Sequence, residues 1–201
     1  MTPSLRALAA PACLLALAAC LLALGACSST PPPSVYTLVP LTPAAPAPAG
    51  TLALSVEQVD IPRYLDRPQV VRYGNTYQLE VDDSARWGEP FGAMVSRVLV
   101  QDLSRRLPGG QVFLETDVAS VPAQLSLEVS VLAFEANPEN TIVLDARWVL
   151  RRPHDGQILG SQAGTVSVAM RDPTLPGMAQ AMSEALAQLS DRIAAGLPPG
   201  Y

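Results

Sequence analysis

Gln124-Leu125-Ser126-Leu127-Glu128-Val129-Ser130-Val131-Leu132-Ala133-Phe134-Glu135 alternates apolar with polar positions. Leu125, Leu127, Val129, Val131 and Ala133 point one way, and Ser126, Glu128 and Ser130 the other, which is the period of a half-buried strand. Asn137-Pro138-Glu139-Asn140 follows as a turn. Ile142, Leu144, Ala146, Trp148 and Leu150 then alternate with Asp145, Arg147 and Arg151. A second turn at His154-Asp155-Gly156 returns the chain through Ile158 to Met170. Three strands joined by short turns predict an antiparallel meander.

Upstream, Leu52, Leu54 and Val56 alternate with Ala53, Ser55 and Glu57, a strand that Ile61-Pro62 ends. Val70 to Tyr73, a Gly74-Asn75 turn and Tyr77 to Val81 read as a hairpin. Val112-Phe113-Leu114 is a short strand candidate. Two stretches change period. Phe91, Val95, Leu99, Leu103 and Leu107 recur every four residues, widened by Met94 and Val98, behind Pro90 and ahead of Pro108-Gly109-Gly110. Met178, Met182, Leu186, Leu189 and Ile193 do the same from about Pro176 to Ala195, closed by Gly196. The prediction is an α+β, two-layer domain. It has a mostly antiparallel mixed sheet with two amphipathic helices packed on one face.

The N-terminal region has a different composition. Arg6 is the only charge before Glu57, and Ala7 to Ala26 is apolar apart from Pro11. Leu24-Gly25-Ala26-Cys27 closes the run as a lipobox. Residues 1–26 therefore read as a lipoprotein signal peptide, with Cys27 as the lipidated first residue of the mature chain. Leu17-Ala18-Ala19-Cys20 also fits, but cleavage there would leave Leu21-Leu22-Ala23-Leu24 exposed behind the anchor. An uncleaved anchor helix is the other reading of Ala7–Ala26, opposed by Pro11 and the lipobox. Ser28 in place of Asp favours sorting to the outer membrane in enteric-type bacteria. Residues 27–50 read as the lipidated cysteine and a proline-rich tether, interrupted by a short strand at Val35–Val39. Residues 51–201 read as a single α+β periplasmic domain.

After Arg6 is removed, 12 arginines face 18 acidic residues, a net of −6, with no lysine. That balance opposes nucleic-acid binding and an electrostatic grip on anionic lipid heads. Cys13 and Cys20 leave with the signal and Cys27 is acylated, so no disulfide or cysteine metal ligand remains. His154 is the only histidine, in a polar turn where a zinc site would need carboxylate help. No nucleophile elbow or phosphate loop is present. Asp82-Asp83 fits a solvated loop better than a calcium site. Met178 and Met182 read as core, or as a greasy contact surface. No cofactor is expected, no metal, and no enzymatic role.

One stretch stands apart. Ile61-Pro62-Arg63-Tyr64-Leu65-Asp66-Arg67-Pro68-Gln69-Val70-Val71-Arg72 packs prolines, an aromatic and three arginines into a non-helical segment. It reads either as surface ion pairs or as an interface, since Arg and Tyr are favoured in partner contacts. Trp87 either seals the first helix against the sheet or faces a partner.

These residues carry a resemblance. The lipobox, Tyr36-Thr37-Leu38, Pro62-Arg63-Tyr64-Leu65-Asp66-Arg67-Pro68-Gln69, and Arg86-Trp87-Gly88-Glu89-Pro90-Phe91 are similar to the ABC-type transport auxiliary lipoproteins, the PqiC-like family. Gly88 and Phe91 depart mildly from the Ala and Leu more usual there. The resemblance implies a lipoprotein moored to the outer membrane at its periplasmic face. It would form a homo-oligomer, a ring, and serve an MCE-domain protein and its ABC permease/ATPase complex in intermembrane lipid transport. It implies no catalytic residues. Pro62, Tyr64, Leu65, Asp66, Arg67 and Trp87, with Arg63, become candidates for partner contact or for fold. Envelope adaptors of other machines, wall-synthase activators or secretion-pore lipoproteins, are the alternative.

Overall fold

The strand with the clearest alternation lies at the centre of a sheet. The computed structural model describes residues 32–43, 50–75, 77–119 and 121–198. In chain order these form β1 (Ser34–Tyr36), β2 (Ala53–Val56), β3 (Gln69–Asn75), β4 (Gln78–Trp87), α1 (Phe91–Arg106), β5 (Gln111–Leu114), β6 (Leu125–Ala136), β7 (Thr141–Arg151), β8 (Ile158–Ala169) and α2 (Leu175–Ala195). The larger sheet runs β5-β2-β6-β7-β8. β6, β7 and β8 form the expected antiparallel meander, while β2 runs parallel to both β5 and β6. A smaller sheet, β1-β4-β3, is something the sequence pattern did not separate from the first.

The core lies between the larger sheet and the helices. Leu125, Leu127, Val129, Ile142, Leu144, Trp148 and Val166 are buried from the sheet side. Phe91, Met94, Val98, Leu99 and Leu103 of α1 meet them, as do Met178, Met182, Leu186, Leu189 and Ile193 of α2. Met178 and Met182 are thus core. Each such side chain removed from water contributes roughly 1.5–3 kcal/mol. α2 packs on β6, β7 and β8, and α1 packs on α2 and β5, which is the two-layer α+β arrangement. Thr174 caps α2, its Oγ1 accepting from Gly177 N at 3.3 Å.

Three expectations shift. Ala133 does not point inward. A bulge at Leu132 resets the register between Val131 and Ala133, so Phe134 and Ala136 turn into the core. The extra residue, Leu132, is left 42% exposed, as a bulge requires. The hairpin reverses later than Gly74-Asn75, because Asn75 still pairs with Gln78. Asn75 Oδ1 accepts from Tyr77 N at 3.0 Å, so its side chain supplies the local turn bond beyond the strand. Asp82-Asp83 lies in β4, not in a loop. There β4 leaves β3 at Asp82 and rejoins it at Arg86, while Asp82 Oδ1 accepts from Ser84 N at 2.9 Å.

The short strand expected within the tether is built into the body. β1 pairs in parallel with Ala85–Trp87, and Leu38 is 1% exposed. Beyond it the chain crosses both helices as a strap held by their side chains. Leu38 N donates to Met94 Sδ at 3.3 Å, Val39 N to Ser183 Oγ at 3.1 Å and Leu41 N to Asp102 Oδ1 at 2.8 Å. Arg105 donates to the Pro40 carbonyl, and Arg106 Nη1 to the Leu41 carbonyl at 3.3 Å. The strap's polar backbone is therefore satisfied outside any ladder.

Asp102 is fully buried, with Oδ2 left unpartnered. Burial lifts its carboxyl to about 6, against the pull of the Leu41 amide and Arg106. In the unfolded chain the group ionises near 3.8. The folded state therefore binds the proton more tightly, and this group's stabilisation is lost as pH rises between those values. Urea midpoints measured from pH 4 to pH 7 should fall less steeply in Asp102→Asn than in the wild type. Parallel slopes would show that Asp102 is ionised throughout.

Candidate functional site

The segment singled out in the sequence begins where β2 stops pairing with β6. Asp60 N donates to Val129 O at 3.0 Å and Val131 N to Asp60 O at 2.8 Å. Pro62 then turns the chain away, directly beside the Leu132 bulge. A tight turn follows, with Leu65 N on Pro62 O at 2.9 Å and Arg67 N on Leu65 O at 2.8 Å. Trp87 N closes it onto Pro68 O at 2.7 Å. Gly88 N reaches Tyr36 O at 2.8 Å, tying β1 to the same corner.

The turn sorts its side chains. Leu65 and Trp87 are buried, and Pro62 is half-buried. The Trp87 ring lies 5.2 Å from Phe91, which lies 5.7 Å from Phe134. Trp87 therefore seals the start of α1 against the sheet. Tyr64 is half-buried, and its hydroxyl donates to Glu135 Oε2 at 2.8 Å. The bulge is what brings Glu135 to this face, and Phe134 N also donates to Oε2 at 2.8 Å. Burial raises the Glu135 carboxyl above its usual range, while the Tyr64 hydroxyl and the Phe134 amide draw it back. Burial and the Glu135 contact together raise the Tyr64 phenol.

Arg63, Asp66 and Arg67 face solvent. Asp66, Arg67, Pro68, Trp87, Glu89 and Pro90 line an apolar depression of about 350 Å3. Arg97 Nε holds Glu89 Oε1 at 3.0 Å on its rim. A second hollow of about 380 Å3 adjoins it along Asp60, Ile61, Asp66, Pro90 and Gly92. The structure thus brings all seven candidates to one corner. Four (Pro62, Tyr64, Leu65 and Trp87) build it, and three (Arg63, Asp66 and Arg67) are presented outward. Cys27 lies outside the described residues, as do the signal region and part of the expected tether.

Tyr64→Phe removes the donor from a buried carboxylate. A loss of about 1–3 kcal/mol is expected in urea titrations at pH 7, shrinking as the pH is lowered and Glu135, whose carboxyl burial raises, takes up a proton. An equal loss at every pH would remove Glu135 from the account.

Among the described residues no group of three or more His, Cys, Asp or Glu is placed to hold a metal. His154 is exposed in its turn. No described helix is long and apolar enough to cross a membrane.

Comparison with known proteins gives that corner a context. Residues 36–194 match the model of the ABC-type transport auxiliary lipoprotein component. The chain belongs to that family. The match runs from Tyr36, the last residue of β1, through the Pro62–Arg67 turn and Trp87 to most of α2, so in this transport auxiliary lipoprotein the fold and the family coincide. The chain is 31% identical over 113 residues to the intermembrane transport lipoprotein PqiC of Escherichia coli K12, and equally to that of Shigella flexneri. The aligned part is 55% of this chain and 56% of each relative, so the chain spans about half the length of the curated relatives it matches. The crystal structure of an uncharacterized protein is 26% identical with a TM-score of 0.67, over 82% of this chain and 97% of that one. A crystal structure from Xanthomonas campestris has a TM-score of 0.64 at 19% identity, over 80% and 92%, and shares the fold.

The strap was missed in the sequence. Its signal was present in α1, where Asp102 and Arg106 fall on the buried stripe beside Leu99 and Leu103. Charged residues on an apolar stripe mark a buried partner.

Proposed function

We propose that this transport auxiliary lipoprotein is a non-enzymatic docking subunit of an MCE/ABC-type intermembrane lipid-transport system. An acyl chain on Cys27 moors it to the periplasmic face of the outer membrane. The observation that carries the reading is the sorted turn: Tyr64, Leu65 and Trp87 fix the backbone, and Arg63, Asp66 and Arg67 project beside an apolar depression. A preorganised backbone bearing charged and apolar contacts loses little entropy on association. The name of the Escherichia coli relative, an intermembrane transport lipoprotein, supports the same class of work. Ser28 after the cysteine supports the outer membrane as the destination.

The test is affinity purification of the full-length lipoprotein from detergent-solubilised envelopes. An MCE protein should be recovered with it, and Arg67→Glu should reduce that recovery by at least about tenfold while the melting temperature is unchanged. Recovery of wall-synthesis enzymes without an MCE protein would refute the reading. So would turnover of a small molecule by the purified protein. Cys27→Ala should leave an unprocessed, unacylated precursor in mass spectra, and normal acylation of that variant would remove Cys27 as the anchor.

A further inference from the structure

The β3–β4 hairpin ends in an uncharged, aromatic tip. Tyr73-Gly74-Asn75-Thr76-Tyr77-Gln78-Leu79 carries no charge. Tyr77 is 97% exposed, and Leu79 and Val81 are exposed behind it. Tyr73 pairs with Leu79 and Val71 with Val81, so Tyr73, Leu79 and Val81 fall on one face of the hairpin. The nearest charges, Arg72 and Glu80, pair with each other at 3.2 Å on the other face. Arg72, Tyr73 and Glu80 share a hollow of about 370 Å3 with Asn137, Pro138 and Asn140, which sets the hairpin at the β6–β7 turn end of the domain. Apolar side chains exposed side by side mark a contact surface more often than single ones do.

We infer that this tip rests on the bilayer that the lipid anchor holds, against uncharged or zwitterionic lipid headgroups. Three observations select a lipid surface as the occupant. The first is direction. β1 runs parallel to β4, with Ser34 beside Ala85 and Tyr36 beside Trp87. Followed back from Ser34, the chain sets out in the direction that β4 takes from Ala85 to the tip. The second is length. Seven residues, Cys27 to Pro33, separate the acylated position from Ser34, a span of at most about 25 Å by any path. From Ala85 back to Gln78 the strand covers roughly 24 Å. The anchor therefore keeps the bilayer within the distance that the tip itself reaches. The β7–β8 turn at His154 stands at the opposite end of β7, roughly 35 Å from the β6–β7 turn. The third is chemistry. Tyrosine is favoured at a membrane surface, where its ring meets the headgroup region and its hydroxyl stays wet. An uncharged tip on an acidic domain without lysine suits headgroups of no net charge. A few such side chains bind a free bilayer weakly, but the tether makes the contact intramolecular and raises its effective concentration.

This contact rests on acylation of Cys27 and not on docking. Pro68 and Trp87 stand at the other end of β3 and β4, so a domain resting on its tip turns the candidate corner away from the bilayer.

The test uses the full-length acylated lipoprotein in phosphatidylcholine vesicles that carry a nitroxide-labelled headgroup. Cys27 is consumed by the lipid, so a single added cysteine takes a fluorophore cleanly. Gln78→Cys puts the probe at the tip, and His154→Cys puts it at the opposite end. Quenching should be at least about threefold stronger at residue 78 than at residue 154. Adding Tyr77→Asp to the Gln78→Cys protein should cut that quenching by at least about threefold, with flotation and the circular dichroism spectrum unchanged. Equal quenching at the two positions in protein that floats with the vesicles would overturn the inference, as would stronger quenching at residue 154. An unquenched tip, with Tyr77→Asp losing recovery of an MCE protein, would overturn it by assigning the hairpin to a protein partner. Protein that does not float with the vesicles would overturn the anchor reading and this contact with it. Loss of recovery in Arg67→Glu leaves tip quenching intact and bears only on docking.

Discussion

Arg106→Met should destabilise the protein by about 3–5 kcal/mol, because it strands a charge that is already poorly satisfied. Arg106 is 3% exposed and reaches five acceptors. Its Nε donates to Asp191 Oδ1 at 2.7 Å and its Nη2 to Ala187 O at 2.9 Å, while its Nη1 serves Asp102 O at 3.0 Å, Asp102 Oδ1 at 3.4 Å and the Leu41 carbonyl at 3.3 Å. Without the guanidinium, Asp102 keeps only the Leu41 amide, and the carbonyls of Ala187 and Leu41 lose their donor. The double variant Arg106→Met/Asp102→Leu should recover part of the loss, since removing both charges removes the buried orphan. A double-mutant cycle in urea checks this. If the double variant is as unstable as the sum of the singles, the two residues do not act as a pair.

Phe91→Ala should cost about 3–5 kcal/mol and loosen the candidate corner at the same time. Phe91 is 1% exposed between Trp87 and Phe134. A cavity there removes the surface against which Trp87 rests, and Trp87 N is the closing bond of the Pro62–Pro68 turn. The expected signature is a lower urea midpoint together with faster amide exchange at Leu65 and Arg67. Unchanged exchange at those amides would show that the turn holds its shape without the aromatic stack.

The long elements were legible because their periods are strong. β6, β7, α1 and α2 each bury one face, and the alternation or four-residue spacing that does so is written directly in the chain, whereas β8, which buries only Val166 and Val168, was placed by the turn before it. The bulge at Leu132 was not legible, since Leu132, Ala133 and Phe134 are all apolar and any of them could face inward. Only the pairing of Val131 with Ala146 and of Ala133 with Asp145 decides it. The consequence reaches the site, because Glu135 meets Tyr64 only after that reset. The candidate segment was visible by its density of arginine and proline. Its division into buried and presented residues needed Trp87 and Pro68 in contact, and they are distant in sequence. The parallel pairings of β1 with β4 and of β2 with β6 were likewise hidden, as non-local partners leave no local pattern.

The strap also determines how the molecule carries mechanical load. Tension arriving from the residues ahead of Ser34 meets β1 first, which lies parallel to Ala85–Trp87 and must slide past it in shear. Behind β1, Val39 and Leu41 are pinned to Ser183 and Asp102 on two different helices. A pull on the mooring is thus shared between the small sheet and the helix pair. The central meander, where Leu127, Val129 and Trp148 hold the core, meets that load only through α2, which packs on it.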